Sequence, residues 1–200
     1  MTSVRRSIVN CIFALLAALA ALPAVAQSMV QDVLAEQRAA MQTLAHFDGV
    51  WRGTSTIYLP SGEKRTGHVT HRVGPFLGGT IKVMEGRSYN EEGVLVFNGM
   101  MVLFYESATK SFQLHSFANG RARQPKIAMT ADGYYFEVPM EDGATRRVTI
   151  TVKKDSWSEV VQRLAPGAEP VRLFEMTLAR AGDSDWPAAY PNQIPQAKLD

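Results

Sequence analysis

Phe47-Asp48-Gly49-Val50-Trp51-Arg52-Gly53-Thr54-Ser55 is where the chain changes character. Upstream, Val30, Val33, Leu34, Gln37, Met41 and Leu44 recur at helical spacing, with Gln31, Asp32, Glu36 and Arg38 on the other side. No Gly or Pro interrupts that stretch, so residues 27–46 are predicted as one amphipathic helix capping whatever follows. Downstream, runs rich in Val, Ile, Thr, Tyr and Phe alternate with turn residues. The turns are predicted at Pro60-Ser61-Gly62, Gly74-Pro75 with Gly78-Gly79, Asn90 to Gly93, and Glu106 to Lys110. They continue at Asn119-Gly120, Asp132-Gly133, Asp142-Gly143, Lys154 to Ser156 and Ala165 to Pro170. Asn119-Gly120 suits a type I′ turn, whose two central residues need positive φ.

This spacing predicts a mainly β fold: a single antiparallel up-and-down barrel of about ten strands over residues 47–181. Closure follows from the cost of leaving two sheet edges exposed. Alternation supports the assignment, with Val148, Ile150 and Val152 on one face and Arg147, Thr149 and Thr151 on the other. Phe174, Met176 and Leu178 repeat the pattern in the last strand. Leu95 to Tyr105 is apolar on both faces, which predicts an outer cover, either the N-terminal helix or the partner in a homodimer. Pro187, Pro191 and Pro195 forbid a helix in residues 182–200, which are expected to form a strap or a disordered tail.

Arg5 and Arg6, the apolar run from Cys11 to Leu22 and the small residues Ala24-Val25-Ala26 together predict a secretory signal peptide over residues 1–26. The expected location is therefore periplasmic or secreted, with no membrane span after cleavage, because the run is shorter than the roughly 20 apolar residues a span needs. Cleavage would remove Cys11, the one cysteine, and with it any disulfide, thiolate ligand or thiol nucleophile. It would also take the basic residues from 21 to 19, against 19 acidic ones, so nucleic-acid binding lacks its electrostatic footprint.

Gly49-Val50-Trp51 after a helix, at the start of the first strand, resembles the Gly-x-Trp signature of the lipocalin-like (calycin) barrels. That resemblance implies that Arg180, in Leu178-Ala179-Arg180, packs across Trp51 to close one barrel end. Arg72-Val73, Leu77-Gly78-Gly79, Glu85-Gly86, Tyr105, Trp157-Ser158-Glu159 and Phe174 to Leu178 extend it to a bacterial lipocalin-like domain-of-unknown-function family. It covers about Leu44 to Arg180 and implies a fold without an activity. The haem-binding nitrobindins are distantly similar through Gly49, Trp51 and Gly53, but Ser55 replaces their final Gly and no His lies from Thr145 to Arg180.

No nucleophile elbow, phosphate loop, dinucleotide fingerprint or metal-ligand spacing is present, so no cofactor, metal or catalytic residue is predicted. His68 and His71 are three apart on a strand and should point to opposite faces, as solvated histidines. The remaining polar residues of interest share faces with apolar neighbours. Glu85, Arg87 and Tyr89 alternate with Ile81 and Val83, Glu159 lies between Trp157 and Val161, and His115 faces with Phe117. Arg72, Glu85, Arg87, Tyr89, Tyr105, His115 and Glu159 are thus the candidate ligand-binding residues, with Glu85 paired to Arg72 or Arg87 as a polar clamp. Gly49, Trp51 and Arg180 are the barrel closure, and any binding site should lie above them. The expected function is an exported barrel for a small, partly apolar ligand. The rivals are an enzyme built on Glu85 and His115, and a solid structural or dimerising module.

Overall fold

The computed structural model describes residues 28–184; the expected signal peptide and most of the Pro-containing tail lie outside them. Residues 28–42 are helical (α1). The chain divides into two units, Met1–Glu36 and Gln37–Asp200, so α1 contributes to both. In the first, Val30 and Val33 are exposed, and the predicted apolar stripe is buried only in the second, at Met41 and Leu44. Among the described residues no helix is long and apolar enough to cross a membrane.

The second unit is an antiparallel sheet of eleven strands in the order β6-β5-β4-β3-β2-β1-β11-β10-β9-β8-β7. The strands are β1 (Gly49–Tyr58), β2 (Lys64–Phe76), β3 (Ile81–Tyr89), β4 (Leu95–Glu106), β5 (Ser111–Ala118) and β6 (Arg121–Arg123), followed by β7 (Ile127–Thr130), β8 (Gly133–Pro139), β9 (Thr145–Val152), β10 (Ser156–Leu164) and β11 (Val171–Gly182). Every strand pairs with its neighbour in sequence except β6 with β7, and the first strand pairs with the last. The expectation of a closed barrel of about ten strands is therefore corrected to a curled, barrel-like sheet with one seam. The reason is local: β6 has three residues, and Pro125 in the link to β7 has no N–H to continue a ladder. Arg121 and Arg123 sit exposed on that edge, which discourages another strand from pairing there.

Two further expectations change. Gly74-Pro75 is not a turn but lies inside β2, with Gly74 opposite Val83 and Pro75 opposite Lys82. The turn falls at Leu77–Gly79, where Leu77 and both glycines have positive φ. Of the two covers expected over the outer row of β4, the helix does not supply one at Met100, which is exposed; Val102 and Phe104 are half-buried, the latter against the His115 ring at 5.4 Å.

One end of the sheet is packed solid. Phe47, Trp51, Tyr134 and Trp157 are fully buried there with Leu44, Leu103, Leu114 and Leu178. Trp51 meets Trp157 edge-on at 5.8 Å, and Phe47 meets Trp157 at 5.4 Å. Trp51 Nε1 donates to the Phe47 carbonyl at 3.0 Å, and the Arg180 guanidinium lies over the Trp51 ring at 5.6 Å. Arg180 also donates to the Asp48 carbonyl at 2.5 Å, while the buried Lys82 pairs with the Asp48 side chain. From α1, Gln37 donates to the Tyr105 carbonyl at 3.2 Å, and Arg38 donates to the Gly78 carbonyl at 3.1 Å. Gly53 is required for the β1–β11 approach, since a Cβ there would fall 2.0 Å from the Thr177 carbonyl oxygen.

Candidate functional site

Above the aromatic plug the interior is hollow, and the cause is side-chain size. Side chains on paired strands share a face when their residues are directly opposite. His71 is opposite Gly86, Gly86 opposite Gly99, and Gly99 opposite Ala118, so four neighbouring strands carry only one large group in that row. Ser55, Gly67, Ser88 and Ser116 continue the small-residue surface toward the mouth. The cavity left has a volume of about 1000 Å³. That is at the upper end of the range for small-molecule sites. Met84, Met101, Met176, Val161 and Phe174 supply its apolar wall.

Away from the mouth, where Glu63, Lys64, Arg65, Tyr89, Glu91 and Glu92 stand, the ionisable side chains lining this space are His71 from β2, Arg146 from β9 and Glu159 from β10. Val69, His71 and Val73 are all buried, so His71 belongs to the inward row of β2, and its Nε2 lies 2.9 Å from where a Gly86 Cβ would stand. Its ring packs edge-on against Trp157 at 5.1 Å. Burial lowers the His71 pKa to about 4, so the imidazole is neutral at physiological pH. Burial raises the Glu159 pKa to about 7. The Tyr134 hydroxyl is held protonated by its own burial and, secondarily, by the Glu159 charge; it donates weakly to Met101 Sδ at 3.9 Å. His71 Nδ1, Trp157 Nε1 and Arg146 Nε are buried without a hydrogen-bond partner among the described residues. Such atoms each cost about 1–3 kcal/mol; of the three, His71 Nδ1 belongs to a residue at the cavity floor, while Arg146 lies up the wall and Trp157 in the plug.

The predicted site residues divide between the two faces. Glu159 and Tyr89 line the cavity. Arg72, Glu85 and Arg87 do not: the inward row of β3 is Lys82, Met84, Gly86 and Ser88, which puts Glu85 and Arg87 outside. The face was misassigned because Val83 on the outer side is itself buried, so the apolar signal is present on both sides of β3. The Arg87–Glu85 ion pair does form, at 2.6 Å, on the outer surface. Arg72 is directly opposite Glu85. His115 is opposite Val102 and meets Phe104 edge-on, also outside. Tyr105 points inward but is spent in the packed end, edge-on against Phe112 at 5.3 Å. The Glu85–His115 version of an enzyme site is not assembled. Gly49, Trp51 and Arg180 meet as expected.

His68 and His71 do point oppositely, but of the two only His68 is exposed; His71 is the buried floor residue and not a solvated histidine. The alternation Val69-His71-Val73 was its available signal. Arg146 was missed in the same way, two residues before the apolar row Val148, Ile150 and Val152. Among the described residues, no three His, Cys, Asp or Glu side chains converge as metal ligands would.

No protein-family model matches the chain, and no curated protein matches it. Among solved structures, the fold is similar to the crystal structure of Rv2717c from M. tuberculosis, with a TM-score of 0.52 and 13% sequence identity. The likeness covers 70% of this chain and 96% of that one. At this identity it bears on the fold alone.

Proposed function

We propose that the chain is an exported, lipocalin-like (calycin) barrel that binds a small, partly apolar molecule. The observation that carries this is the cavity of about 1000 Å³, apolar on its walls and polar at its floor. A solid structural module would fill that volume at native packing density instead. The candidate ligand contacts are Glu159, His71 and Arg146, with Met84, Met101, Met176 and Phe174 against the apolar part. Export rests on the N-terminal signature of residues 1–26, and the calycin kinship rests on the Gly49, Trp51 and Arg180 arrangement.

Native mass spectrometry of the chain purified from its own host tests the proposal. The expected spectrum contains a mass excess that is lost on denaturation. The bare mass, together with no uptake of an added apolar fluorophore such as Nile red, would contradict it.

A further inference from the structure

We infer that the cavity floor takes the nitrogen end of a lipophilic amine, with the Glu159 carboxylate as its counter-ion. This rests on the binding proposal above and specifies the ligand class. Glu159 lines the cavity among thioether and aliphatic side chains, where an isolated carboxylate is costly until a cation or a strong donor meets it. The groups that face it are few. On its own strand they are Trp157 and Val161, both uncharged, and β11 presents Met176 opposite it. From β8 comes Tyr134, held protonated; from β2 comes His71, neutral because it is buried. Besides Lys64 and Arg65, exposed on β2 seven and six residues from His71, the cation in the lining is Arg146. It is four residues nearer the mouth than Ile150, the residue paired with Glu159. At about 3.3 Å per residue that places its backbone roughly 13 Å up the wall. Burial is the cause of the raised Glu159 pKa, with no contribution from a neighbouring cation.

A ligand carboxylate at this floor would meet a like charge, whereas an ammonium group would complete the pair and satisfy the buried oxygens. An anionic ligand would instead be drawn to Arg146, or to Lys64 and Arg65 at the mouth, so chemistry at the ligand's polar end separates the two possibilities. The four methionines lining the cavity, Met84, Met100, Met101 and Met176, are flexible and polarisable and suit an aliphatic body of loosely defined shape.

The test is competition of decylamine, decanol and decanoate against Nile red, at about pH 8 and about pH 6, on the full chain and on Glu159→Gln. Decylamine stays protonated at both pH values, so a pH effect reports on the protein. At pH 8 decylamine is expected to bind about ten-fold or more tightly than decanol, the usual scale for a charge-assisted hydrogen bond. That preference is expected to shrink several-fold at pH 6, as Glu159 takes up its proton, and to vanish in Glu159→Gln. Nile red uptake and thermal unfolding check that the variant is folded; if it is not, the pH dependence of the wild-type preference decides alone. Decanol or decanoate binding as tightly as decylamine at pH 8 would overturn the inference while leaving the cavity's binding role standing. Failure of Nile red and all three decyl compounds to enter would overturn both.

Discussion

Glu159 and His71 share one cavity, and burial moves their protonation in opposite directions with opposite consequences for stability. Glu159 keeps its proton in the fold up to about pH 7, against 4.5 ordinarily, so it contributes stability that is fully present below 4.5 and is lost as pH rises through 7. His71 stays neutral down to about pH 4, against 6.5 ordinarily, so its contribution is present above 6.5 and lost as pH falls through 4. Glu159→Gln is therefore expected to be more stable than wild type at pH 8. Because the cavity leaves Glu159 partly accessible, the gain should be on the order of 1–3 kcal/mol. The difference should close toward pH 4.5. His71→Gln should lack the wild-type loss of stability between pH 6.5 and 4. Urea unfolding across pH measures both, and a Glu159→Gln difference that does not vary with pH would refute the assignment.

At the scale of elements, β1 has one job at each end. Near Gly49 it forms the closed end, where Arg180 joins the Trp51 ring to the Asp48 carbonyl. Arg180→Met is expected to lower stability by about 2 kcal/mol, through the lost charge-assisted bond and ring contact, without changing Nile red affinity. Gly53→Ala should cost about 2–3 kcal/mol, because the added methyl meets backbone that cannot swing aside. An unchanged urea midpoint in either variant would contradict the packing described. The closed end was legible in advance because Gly-x-Trp and a late Arg mark it by residue type alone. Strand faces were legible only where one side was polar. β9 and β11 alternate cleanly, but β3 carries buried residues on both sides, at Val83 as well as Lys82 and Met84, so alternation could not say which row faced inward. Glu85 and Arg87 were lost to that ambiguity, and His71 to the assumption that a strand histidine is wet.

For the whole molecule, the decisive property is where large side chains stop. The aromatic plug of Phe47, Trp51, Tyr134 and Trp157 fills one end, and a row of Gly86, Gly99 and Ala118 leaves the other empty. That row is visible only once register is known, since the three residues lie on three different strands. The seam between β6 and β7 was hidden for a related reason: it depends on a three-residue strand and one proline, a detail below the resolution of turn counting. The central claim is a hollow interior open to small molecules, and Nile red titration of wild type beside Ser116→Phe tests it most directly. Ser116 lines the cavity and tolerates a strand-forming aromatic without disturbing the closed end. Wild type is expected to bind the dye saturably at one equivalent, and Ser116→Phe to bind it at least about ten-fold more weakly with an unchanged melting temperature. A folded wild-type protein that gives no saturable signal, or a phenylalanine variant that binds the dye equally well, would contradict the account.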